Sequence, residues 1–244
     1  MARPSSSAQL GLFSAAWYYI NDKLMKSKLV FIVLFTVLGF GALQVPVNEI
    51  VGSDARFTLF DLLAPVSGAF LGTPLGIISV FLMQILNLAV HGFSSIDRAS
   101  IIRLFPIMFG IWFFARKDRQ VLIVPALAIL AFNLHPEGRA AWFYSSFWLI
   151  PFLAWRFRDR FLIAKSLGTT FTMHSVGSIA FLYAFNLPSS VWISLIPVVI
   201  FERSIFTLGI SASYLLMNNV LGFLSVKKLL PTGIKIAKNY LLGS

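Results

Sequence analysis

The feature that most limits how this chain can fold is a series of long apolar runs that do not alternate. "LVFIVLFTVLGFGAL", residues 29–43, is the first. A strand with one wet face alternates apolar and polar side chains, and a membrane β-barrel needs that pattern on every strand. Unbroken apolar runs approaching twenty residues read as helices instead. Several in series leave more apolar surface than a water-soluble fold can hide. Charged residues make up 12% of the 244 and apolar ones 58%. A soluble domain carries roughly twice that charged share. The expected fold class is all-α, a polytopic membrane helical bundle of about eight transmembrane helices.

The spans are expected near 29–46, 58–72, 74–92, 100–115, 120–134, 140–155, 161–186 and 197–224. Some fall short of the ~20 residues of a full crossing, which suits helices packed inside a bundle or lining a polar cavity. The last is overlong, and "FERS" interrupts it at 201–204, so seven or nine helices also fit. Three regions follow: a cytoplasmic or interfacial segment at 1–28, a transmembrane domain at 29–226, and a basic amphipathic tail at 227–244. In the tail, Lys235 and Lys238 are spaced for one face of a short helix. Trp17, Tyr18 and Tyr19 suit headgroup level near the other end. Both ends read as membrane-surface anchors or as docking segments for a partner protein.

An even number of spans puts both termini on one side. That side then gathers Arg3, Lys23, Lys26, Lys28, Arg116, Lys117, Arg119, Arg156, Arg158, Arg160, Lys165, Lys227, Lys228, Lys235 and Lys238, against Asp22, Asp118 and Asp159. Such asymmetry places both termini in the cytoplasm of an inner, or plasma, membrane. The net charge of +11 thus reads as topology and contact with anionic lipid, not as nucleic-acid binding, which would need a basic stripe with interleaved aromatics. No cleavable signal peptide is expected. The chain has no cysteine, which excludes disulfides and thiolate metal sites.

Ionisable groups at membrane depth are costly, so each is a candidate for function. Asp61 falls one turn inside the outer face, where pairing with Arg56 or Arg103, or capping a helix start near Thr58, is the simpler role. Gln84, Asn87 and His91 share one helix face; the two amides also suit interhelical hydrogen bonding. Thr170, His174 and Ser178 share another. Tyr144 and Trp148, one turn apart in "AAWFYSSFWLIPFLAW", could wall a pocket or join a lipid-facing aromatic belt. Glu202 and Arg203 are adjacent and point about 100° apart on a helix, which predicts separate partners. The candidate substrate-binding set is therefore Asp61, Gln84, Asn87, His91, Arg103, Tyr144, His174, Glu202 and Arg203, converging on an outward-facing polar pocket. Gly68 and Gly72, at G-x-x-x-G spacing, are expected to let helix backbones approach. "GTP" at 72–74 ends one helix and starts the next.

The stretch "FTLFDLLAPVSGAFLGTPLGIISVFLMQILNL", residues 57–88, resembles the second-and-third-helix region of substrate-binding S components of energy-coupling factor (ECF) transporters. The features are Thr58-Leu59, a short helix, and Leu71-Gly72-Thr73-Pro74-Leu75-Gly76 before a long apolar helix. The resemblance implies a small helical membrane protein that binds a vitamin-like molecule or an ion from outside. It implies as partner a membrane coupling subunit with ATPases; this chain carries no P-loop. S components have about six helices, and Thr73 is an insertion in their pattern.

Two other readings stay open. In one, the chain is a structural or accessory subunit of a larger membrane complex. In the other, it is an intramembrane enzyme using His174 and Glu202 on a lipid-like substrate. No catalytic residue, cofactor or metal is expected: H-E-x-x-H and G-x-S-x-G are absent, and His91, His135 and His174 are widely spaced.

Overall fold

A computed structural model describes residues 32–33, 35–49, 56–91, 98–229 and 233–242. The expected cytoplasmic or interfacial segment at 1–28 lies outside them, as do the side chains of Asn48, Glu49, Arg56 and His91. Helix dominates the described residues: α1 (35–43), α2 (Leu59–Leu63), α3 (Ser67–Leu71), α4 (Thr73–His91), α5 (Arg98–Arg103), α6 (Pro106–Ala115), α7 (Ile123–Leu134), α8 (Pro136–Ala140), α9 (Ile150–Phe157), α10 (Leu162–Phe185), α11 (Ser189–Ser194) and α12 (Ile196–Val226). Among the described residues the fold is all-α apart from one small antiparallel pair, β1 (Pro46–Glu49) and β2 (Arg56–Thr58). Among the described residues, three stretches are long and apolar enough to cross a membrane: Thr73–Val90, Arg98–Ala115 and Ile196–Val226.

The first short helix starts and stops for local reasons. Thr58 is extended and forms a capping box with Asp61: its side chain faces the Asp61 backbone N–H, and the Asp61 carboxylate receives the Thr58 N–H (2.7 Å) and hydroxyl (3.2 Å). That reciprocal arrangement closes the helix start. Pro65 then tightens the next turn into a 3₁₀ helix over Ala64–Val66. Gly72 ends α3 at φ +86°, a left-handed conformation that favours glycine. Pro74 sits in the first turn of α4, where its missing N–H costs nothing.

The glycine expectation needs one correction. Gly68 does sit at a close contact: a Cβ there would lie 2.7 Å from Ile111 Cγ2 on α6. Gly72 does not, since a Cβ there meets nothing within 4 Å; its role is the turn. The partner that brings α3 against α4 is Gly76, whose Cβ would lie 2.7 Å from Gly68 Cα and N.

Helix α10 is central and packs against α6, α7, α9 and α12. Its buried residues are largely small and hydroxylic, with Ser166, Thr169, Thr172 and Ser175 essentially inaccessible. Their hydroxyls return to backbone carbonyls: Thr169 to Lys165 O, Thr172 to Gly168 O and Ser175 to Thr172 O, each at 2.8 Å. Ser211 on α12 also donates to Ser166 at 2.8 Å. Helix α12 buries Glu202, Arg203, Thr207, Ser211 and Asn218 while exposing Phe201, Leu208, Leu216 and Phe223. Exposed Ile78, Phe81, Leu82, Ile85 and Leu86 form a similar apolar stripe on α4. These helices hide polar groups and show apolar ones, the inverse of a water-soluble bundle.

The bundle has two unlike ends. One holds Arg116 after α6, Arg158 between α9 and α10, Lys165 on the first turn of α10, and Lys227 after α12. There Arg158 is buried and donates from Nη2 to Phe114 O at 3.1 Å, at the end of α6. Burial beside the Phe113 ring (4.9 Å) lowers its pKa to about 10. The expected helix around Lys235 and Lys238 is not formed over 234–237. That segment has no regular structure and lies against Phe70 and α12, followed by a single 3₁₀ turn at Lys238–Tyr240. The cause is local: Asn218 exchanges two hydrogen bonds with Ala237 (2.9 and 2.8 Å), Asn219 bonds Tyr240 O and Leu242 N, and Lys235 N donates to Phe70 O.

Candidate functional site

The opposite end encloses a cavity of about 630 Å³, within the ordinary range for small-molecule sites. It is bounded by α5 and the start of α6, the second half of α10, α11 and the start of α12. Phe57, Pro106, Phe181, Phe185, Trp192, Leu195 and Val199 supply most of an apolar wall. Six of the nine expected residues line it: Asp61, Arg103, Tyr144, His174, Glu202 and Arg203.

Asp61, at the start of α2, is 7% exposed. Its carboxylate takes the two bonds from Thr58 and an ion pair with Arg103 Nη2 at 3.9 Å. Both simpler roles, cap and counter-ion, are thus present beside its place in the cavity wall. Glu202 and Arg203 do not take separate partners as their 100° separation predicts. Arg203 Nη2 donates to Glu202 Oε2 at 3.2 Å. The two long side chains curl back on each other because a buried charge left without a counter-ion is costly. The Arg203 guanidinium also covers the rings of Phe206 (4.3 Å) and Phe57 (5.2 Å). Its Nε has no hydrogen-bond partner among the described residues.

Tyr144 and Trp148 lie on a 3₁₀ helix over Trp142–Leu149, and both are buried while Trp142 is exposed. Tyr144 walls the cavity; Trp148 stands behind it, so neither belongs to a lipid-facing belt. Phe132 packs on both rings and on Trp192, at centroid distances of 5.2–5.6 Å. His174 lies between them. Trp148 Nε1 donates to His174 Nδ1 at 3.2 Å, and His174 Nε2 is 2.9 Å from Tyr144 Oη. An indole N–H can only donate, so Nδ1 must be the bare nitrogen and the proton of a neutral ring sits on Nε2. That proton goes to Tyr144 Oη, and the tyrosine keeps its own O–H to give. Ser178, one turn along α10, is the neighbouring hydroxyl.

The remaining three candidates lie elsewhere or are not described. Gln84 donates to Leu104 O at 3.4 Å, and Asn87 accepts from Gln44 Nε2 at 3.0 Å. Both amides join segments of the bundle. The His91 side chain is outside the described residues. His135 accepts from Glu137 N and caps α8. No group of three metal-ligating side chains occurs among the described residues. Missed from sequence were the α11 wall with Trp192, whose indole donates to Leu187 O at 3.1 Å, and Gly177. The start signal "NLPSS" before an apolar triplet marks α11; nothing in the sequence marks Gly177. No protein-family model, curated protein or solved structure matches the chain.

Proposed function

We propose that this chain is a polytopic bundle of about eight membrane helices that binds a small molecule in the cavity beside Arg203, working as the substrate-binding member of a transport system. The observation that carries this reading is the gathering of two ion pairs and the His174–Tyr144 couple around one apolar cavity. Groups so costly to bury are kept where they face a ligand. The inverted helices support a lipid setting, in which packing depends on small and hydroxylic side chains. The basic cluster at the far end favours the cytoplasmic side of an inner membrane for that end, so the cavity opens outwards. Resemblance of 57–88 to ECF S components belongs to the same proposal, with energy coming from a coupling subunit and its ATPases.

Native mass spectrometry of gently purified protein tests it. Gly177 lines the cavity, and a Cβ there meets only Pro106 Cγ, at 3.7 Å. Gly177→Phe therefore fills the space with little backbone strain. Wild type should carry a small-molecule adduct that the variant lacks at equal folded yield. An adduct of identical mass and occupancy in both contradicts binding at this place.

A further inference from the structure

Polarity changes with depth in the cavity, and the gradient indicates what class of molecule it takes; this step rests on the binding reading above. Helix α10 runs from the basic end to the cavity end, and α12 returns beside it, with Ser211 bonded to Ser166. Depth can therefore be measured along both helices. At a rise of about 1.5 Å per residue, Phe185 stands about 16 Å above His174 on α10, and Leu195 about 10 Å above Glu202 on α12. Near the mouth the lining is apolar and half-buried or exposed: Phe181, Phe185, Leu187, Val191, Leu195 and Val198. Ser194 is the polar residue at that level, and its hydroxyl is turned to Val191 O at 2.8 Å. At the floor the lining is polar. Asp61, Tyr144, Glu202 and Arg203 are all buried there, and His174 bonds Tyr144. Carboxylates accept, a guanidinium donates and a phenol does both, so the floor is a mixed hydrogen-bonding surface. Its charges balance among the described lining residues, Asp61 against Arg103 and Glu202 against Arg203.

We propose that the cavity takes an amphiphile with an uncharged, hydrogen-bonding head and an apolar body, seated with the head on the polar floor and the body against the mouth. Each alternative is penalised by a different part of the lining. A wholly polar molecule leaves the apolar mouth in contact with water. A hydrocarbon strips water from the polar floor and returns no hydrogen bond. A head with net charge adds an uncompensated charge to a floor whose own charges cancel. The reverse orientation, tail down, meets the first two costs together.

The test uses the full-length protein in lipid nanodiscs and two photoreactive decanamides, one with a diazirine beside the amide and one with it at the chain end. Labelling that excess decanamide competes away is mapped by peptide mass spectrometry. The amide-side probe should insert near His174 and Ser178 on α10 or near Glu202 on α12. The chain-end probe should insert between Phe181 and Val198. Acetamide has the head without the body, and decanesulfonate and decylammonium have the body with a charged head. Each should compete at least about tenfold more weakly than decanamide. The wild-type map alone decides the orientation, so the result does not depend on a variant folding. Two maps that are exchanged or identical, no competed labelling in wild type, or equal competition by acetamide or by either charged amphiphile overturns this ligand class. If Gly177→Phe still abolishes the competed labelling in those cases, the binding reading stands. Competed labelling equal in wild type and folded Gly177→Phe overturns both.

Discussion

Trp148→Phe is the most informative single change, because Trp148 does not line the cavity. Its indole N–H fixes the His174 ring from behind, at 3.2 Å from Nδ1. The other neutral tautomer would aim an N–H of His174 at the indole N–H, losing one hydrogen bond and leaving two buried donors unmet. That penalty is about 1–3 kcal/mol, a bias of roughly 5- to 150-fold towards the Nε2–H form. Phenylalanine keeps most of the packing against Phe132 and Tyr144 and removes the bias. Nε2 then becomes able to accept from Tyr144, which turns the tyrosine O–H away from Ser178 on the cavity wall. Histidine-selective ¹⁵N NMR in nanodiscs reads the tautomer of His174 directly. Wild type should show a bare Nδ1 and a protonated Nε2, and Trp148→Phe a mixture, with ligand affinity reduced several-fold. A wild-type His174 protonated on Nδ1, or on both nitrogens, refutes the reasoning.

Changes at four further positions probe the frame that holds the site. Asp61→Ala removes the acceptor for Thr58 and the counter-ion of Arg103, and should cost about 1–3 kcal/mol in detergent unfolding; Asp61→Asn keeps one acceptor oxygen and should recover much of that. Gly76→Ala places a methyl 2.7 Å from Gly68 backbone and should cost about 1–3 kcal/mol, whereas Gly177→Ala, with room around it, should be neutral or gain up to about 1 kcal/mol. Asn218→Ala breaks both bonds to Ala237, so hydrogen exchange at the Ala237 amide should quicken while amides within α10 stay protected.

Periodicity made the helices legible, because a long apolar run has few other uses. The hairpin at Gly72-Thr73-Pro74 was legible for the same reason: a glycine with positive φ and a proline in a first turn are both local signals. What the sequence hid were contacts set by distant segments. Glu202 and Arg203 pair because both are buried at one place, which helix geometry alone argues against. The tail from 233 onwards is held by Asn218 and Asn219, so its lysine spacing misleads. At the candidate site, six residues stood out as ionisable or polar groups in apolar surroundings. Gln84 and Asn87 carried the same signal yet serve as interhelical bonds, since an amide looks alike in either role. Trp148 and Gly177 act through position, one behind the wall and one as an open space in it, and position is not written in residue type.

Because the chain has no cysteine, single-cysteine variants can be labelled without background, and this gives the most direct test of an outward-opening binding cavity. Val198 lines the cavity, and Lys227 lies exposed at the basic end. With a membrane-impermeant maleimide on intact cells, Val198→Cys should react without permeabilisation and be protected by a bound ligand, and Lys227→Cys should react only after permeabilisation. Labelling of Lys227→Cys from outside, or of Val198→Cys only after permeabilisation, contradicts the account.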